Sequence, residues 1–69
     1  MKYIPRIGDL LEGPSGERVL VGDVNSNGGI CDDCFEAPWS RNFVEHTDGK
    51  VFVYLLPDGW HLVRNVLEP

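Results

Sequence analysis

Two cysteines, two histidines and a group of aspartates are the residues of this chain that could do chemistry. The cysteines form the run Cys31-Asp32-Asp33-Cys34. A redox dithiol at this spacing needs a helix N-terminus or a nearby cation to stabilise its thiolate. The two intervening aspartates oppose a thiolate by like-charge repulsion, and no strand–helix–strand pattern surrounds the motif. As a zinc half-site the pair would need both histidines. Cys31, Cys34, His46 and His61 then stand in the pattern C-x2-C-x11-H-x14-H. The last gap is far longer than the roughly three to five residues of a finger. A metal would help so short a chain to fold, because its binding energy becomes folding energy. The plainest reading is two reduced cysteines, one packed as a small hydrophobe and one in a turn. No cofactor is expected on that reading; zinc on the four named residues is the alternative.

Acidic residues gather around the same stretch: Asp23, Asp32, Asp33 and Glu36. Neighbouring carboxylates can bind calcium or share acid–base work. Here the EF-hand spacing is absent, and no histidine or nucleophile is adjacent in sequence. Ser15, Ser26 and Ser40 lie at turn or loop signals outside any nucleophile-elbow context. Gly28-Gly29 lacks the Lys-Ser/Thr and the helix start of a phosphate-binding loop. The expectation is therefore not an enzyme. The acids read either as a solvated acidic loop or as a patch expected to meet a basic protein surface, where complementary charge speeds encounter and selects partners. Trp39 and Arg41 follow, and Trp and Arg are enriched at interface hot spots; Trp39 reads either as an interface anchor or as a local lid on the core. The expected docking residues are Asp32, Asp33, Glu36, Trp39 and Arg41, within a loop running from Asn25 to Arg41. Trp60, after a tight turn, is expected in the core.

The elements that position these residues must be short. Sixty-nine residues make one small domain, residues 1–69, with 42% apolar residues to form its core. Eight glycines and five prolines break the chain too often for long helices. Turn signals recur about every ten residues, the rhythm of all-β domains. Gly13-Pro14-Ser15-Gly16 separates Ile7–Glu12 from Glu17–Val24, and Gly22 within the latter suggests a bulge. Asn25–Gly29 reads as a flexible loop. Residues 30–41 read as one irregular loop or a single helical turn through Cys34–Glu36, capped by Asp32 or Asp33 and stopped by Pro38. Asp48-Gly49 joins strands at Asn42–His46 and Val51–Leu56; the latter is apolar on both faces and expected to be central and covered on both sides. Pro57-Asp58-Gly59 introduces an alternating strand over Trp60–Val66. Trp60 and Leu62 fall on one of its faces, and His61, Val63 and Asn65 on the other. The expected fold is all-β: five or six short antiparallel strands in a small barrel.

Ile7-Gly8-Asp9-Leu10-Leu11, the turn at 13–16 and the return strand Glu17–Val24 resemble the first hairpin of SH3-like barrels. That resemblance implies a binding module. In size, acidity and want of a catalytic set, the chain is similar in type to the small accessory or inhibitor proteins of phages.

The six Lys and Arg against eleven Asp and Glu give a net charge of −5. The cations are scattered singly, which argues against a nucleic-acid polymer as partner. No stretch approaches the ~20 apolar residues of a membrane helix. The basic start Met1–Arg6 has no apolar region behind it, so the expected compartment is the cytoplasm, with thiols reduced. The function expected is non-enzymatic docking on a larger protein with a basic surface. A structural zinc module and a barrel binding a small nucleotide or nucleic acid are the alternatives. An open strand edge would also suit a homodimer.

Overall fold

The computed structural model describes residues 2–32, 35–47 and 51–68, the side chains of His46 and Thr47 excepted. The chain is all-β apart from one 3-10 turn at Ser40–Phe43. Its strands are β1 (Lys2–Tyr3), β2 (Asp9–Glu12), β3 (Arg18–Leu20), β4 (Asp23–Val24), β5 (Ile30–Cys31), β6 (Val44–Thr47), β7 (Val51–Leu55) and β8 (His61–Asn65). Among the described residues the strands form three antiparallel sheets, ordered β1-β7-β6, β3-β2-β8 and β4-β5. The pairings of the described residues therefore do not close into the expected barrel, and the strands are shorter and more numerous than five or six.

Gly22 shows why. The Val21 N–H donates to the Asp9 carbonyl at 2.8 Å, and the next N–H, that of Gly22, donates to Cys31 at 2.7 Å. The chain thus passes from one sheet to another between adjacent residues, and Glu17–Val24 divides into β3 and β4. Turn chemistry acts as expected elsewhere. The Gly16 N–H closes the first turn on the Gly13 carbonyl at 3.1 Å, with Gly16 at φ +81°. Open space surrounds that glycine, so backbone conformation alone reserves the position for it. In the second hairpin, β6 pairs with β7 from Val44↔Tyr54 to Thr47↔Val51. Its Asp48-Gly49 turn lies outside the described residues.

Tyr3, Leu11, Val21, Ile30, Tyr54 and Leu56 form one core that all three sheets share. Val19, Val24, Trp39, Val44, Phe52 and Trp60 pack around it. β7 is central in its sheet but covered on one face. Tyr54 is fully buried, whereas Val51 and Leu55 are exposed, because the apolar content of this strand exceeds what three small sheets can cover. The alternation expected for Trp60–Val66 also fails. The β2–β8 register steps from Leu11↔Leu62 to Leu10↔Arg64, leaving Val63 as a bulge. One extra residue turns the following side chains to the opposite face. Asn65 consequently faces inward, where its amide donates to Asp9 Oδ1 at 2.9 Å and to the Ile7 carbonyl at 3.0 Å.

Candidate docking loop

The stretch from Asn25 to Arg41 hangs between β4 and β6 and contains β5. Its base is fixed by one side chain. Asn25 Oδ1 accepts the N–H groups of Asn27 at 3.0 Å and Gly29 at 2.8 Å, while its amide donates to Glu36 Oε2. An Asn that satisfies its own turn in this way stabilises a tight connection without regular strand pairing. Gly28, at φ +83°, presents its carbonyl to the Tyr54 hydroxyl, tying the turn to the buried face of β7. An added Cβ at Gly29 would stand 2.4 Å from Glu36 Oε2 and 2.7 Å from Asn25 Nδ2, so a side chain there would displace the Asn25–Glu36 pair. The segment read as flexible is thus pinned.

In the outer part of the loop Asp32 and Phe35 bond to each other; the helical turn expected through Cys34–Glu36, the alternative to an irregular loop, lies partly outside the described residues. Cys31 bridges to Glu36, and the Ala37 N–H donates to Ile30 at 2.8 Å. Asp32 does accept a backbone N–H, that of Phe35, at 2.7 Å, as an N-cap would. Its own N–H also donates to the Phe35 carbonyl at 2.9 Å, a bond running in the direction opposite to that of a helix. Helical geometry begins only after Pro38. There the Ser40 N–H and hydroxyl both donate to the Ala37 carbonyl, at 3.1 and 3.0 Å.

The five expected docking residues take different places. Asp32 lies at the outer turn, partly exposed. Asp33 lies outside the described residues, as does Cys34. Glu36 is held between Arg41 and Asn25, with Arg41 Nε at 2.8 Å, so its charge is already matched. Arg41 is spent on the same pair. Trp39 leans on Trp60, ring centroids 5.0 Å apart at 56°, and packs against the core. Its indole Nε1 is buried with no hydrogen-bond partner among the described residues. Trp60 packs against the same core, as expected.

Two further residues bear on this part of the molecule. Asp23, in β4, is exposed and stands opposite Cys31 in the β4–β5 register, with no ion pair among the described residues. Phe35 is 74% exposed. An aromatic residue reads equally as core or as surface, so its type does not mark this position; its place in an acid-rich run is the one sequence signal that it faces outward.

The charge balance sharpens this end of the molecule. Lys2 pairs with Glu45 at 2.9 Å, Arg6 with Glu68, Arg18 with Glu12 at 3.4 Å and Arg41 with Glu36. Among the described residues Arg64 is the cation without an ion pair. Most positive charge is therefore matched locally.

The four residues of the zinc alternative are not gathered by the described structure. Cys31 lies in the β4–β5 sheet, where its thiol meets the Gly29 carbonyl and the Asn25 amide at 3.6 and 3.7 Å. His61 lies in β8, opposite Glu12. Cys34 and the His46 side chain are outside the described residues, and no three potential ligands cluster among those described.

Both tyrosines bind the scaffold to its loops in neutral form. Burial raises the Tyr54 hydroxyl to about 12, helped by the nearby Cys31 and Glu36. Burial and the hydrogen bond to Asp9 push Tyr3 higher still. No helix among the described residues is long and apolar enough to cross a membrane. No protein-family model matches this chain, and comparison with curated proteins and with solved structures gives no match.

Proposed function

We propose that this chain is a non-enzymatic docking module that binds a larger protein with a basic surface through its Asn25–Arg41 loop. The observation that carries this reading is the pairing of a fixed base with an acidic outer turn. The Asn25 network fixes the base; Asp32 begins the turn, and Asp23 in β4 stands opposite Cys31, the residue before Asp32. Backbone already held by such bonds, as at Asn25–Gly29, loses little conformational freedom when a partner meets it. Its excess negative charge raises the rate of encounter with a basic surface. The β2–β3 hairpin, the part that resembles SH3-like barrels, supports the same class of function, since such barrels are mostly binding modules. Its size and acidity are compatible with the small accessory or inhibitor proteins of phages, an analogy of type.

The test is a pull-down from lysate of the source cell, with the intact chain as bait. A specific partner should be retained by the wild type and lost with Asp32→Lys/Asp33→Lys. If that double variant and Trp39→Ala both leave the retained set unchanged, the loop is not the docking surface.

A further inference from the structure

The acids of the outer turn account for steering but supply little binding energy, because exposed charge pairs contribute only about 0–1 kcal/mol each. Affinity requires an apolar group that leaves water, and the outer turn presents one. Phe35 is the most exposed of the large apolar side chains described, at 74%. Its backbone is held on both sides by Asp32, whose carboxylate accepts the Phe35 N–H while its N–H donates to the Phe35 carbonyl. The Cys31–Glu36 bridge closes the turn behind it, and Glu36 is fixed in turn by Arg41. With both its N–H and its carbonyl bonded, Phe35 itself keeps few backbone states to lose on binding.

Resting on the docking reading above, we infer that Phe35 is the anchor of the interface, inserting into an apolar cleft whose rim carries lysine or arginine. The rim chemistry follows from the described neighbours: Asp32 begins the turn, and Asp23 stands opposite Cys31, the residue before Asp32. A second copy of this chain is the wrong occupant, because a symmetric contact at Phe35 would bring two acidic turns together in a molecule of net charge −5. An anionic lipid surface is disfavoured by the same charge.

A photo-crosslinking amino acid carrying benzophenone is placed at position 35, and separately at 27 and 58, in the otherwise intact chain. Each is irradiated in lysate of the source cell and the crosslinked peptide is sequenced. Position 35 should crosslink to an apolar segment flanked by Lys or Arg. Phe35→Ala should weaken capture of that same protein by about 30-fold or more, the scale of a hot-spot side chain, while Phe35→Leu retains part of it. Crosslinking from 27 but not 35 overturns the anchor and leaves the docking loop standing. Crosslinking from 58 alone, or from no position, overturns both. A crosslink from 35 to another copy of this chain, to lipid or to an acidic segment also contradicts the inference.

Discussion

The Tyr3 hydroxyl donates to Asp9 Oδ2 at 2.6 Å inside the core, joining β1 to β2 through a fully buried carboxylate. The Arg6 N–H reaches the same oxygen at 3.0 Å, and Asn65 occupies the other. One side chain thus joins the N-terminal segment, the first hairpin and the end of β8. Asp9→Ala would leave the Tyr3 hydroxyl and the Asn65 amide without this acceptor, at about 1–3 kcal/mol for each buried orphan. A domain of this size rarely has more than about 3–5 kcal/mol to lose. Urea unfolding at neutral pH should show Asp9→Ala largely unfolded before denaturant is added. Tyr3→Phe, which removes one donor and leaves the carboxylate its other partners, should cost about 1 kcal/mol.

Alkaline pH probes the same architecture. The chain has two tyrosines, both buried and both raised above the ordinary value of 10. Between pH 10 and about 12 the unfolded chain releases tyrosine protons that the folded chain keeps. Stability is therefore fully present below pH 10 and falls as pH rises, by on the order of 1 kcal/mol per pH unit for each tyrosine. Near-ultraviolet tyrosinate absorbance should stay flat past pH 10 and then rise together with the loss of tertiary circular dichroism. Smooth ionisation centred on pH 10 with the fold intact would contradict the burial of both rings.

Trp39 separates packing from polarity. Its ring leans on Trp60, but its indole N–H is buried without an acceptor among the described residues. Trp39→Phe keeps an aromatic surface and removes that orphan donor, so thermal unfolding should show a change within about 1 kcal/mol of the wild type. Trp39→Ala removes the contact with Trp60 and opens the core edge, and should cost about 3 kcal/mol or more. Equal loss in both variants would mean that the N–H has a partner.

Local signals were legible in the sequence, and tertiary ones were not. The Gly13–Gly16 and Pro57–Gly59 turns, the β6–β7 pairing and the all-β class follow from turn residues and β-branched runs, which act over a few positions. The inward turn of Asn65 depends on the bulge at Val63, and nothing in the alternating pattern marks an extra residue there. The β1–β7 pairing joins Lys2 to Leu55, a separation that no local pattern reports. At the loop, the acidic cluster was legible as composition. That Glu36 spends its charge on Arg41 and Asn25, and that Phe35 faces outward, depends on how Asp32 and Phe35 bond to each other. These relations decide which loop residues are left for a partner, and they arise only once the chain is folded.

The central claim is that position on the outer turn, rather than overall acidity, directs docking. The decisive measurement compares the affinity of the purified partner for the wild type, Asp23→Lys and Asp58→Lys at one ionic strength. Both variants reverse an exposed acidic residue and change the net charge equally, one beside the docking turn and one in the turn before β8. The account predicts that Asp23→Lys weakens binding by about tenfold or more, mostly through the association rate, and that Asp58→Lys changes it by less than about twofold. Equal effects from the two, or none from Asp23→Lys, would contradict it.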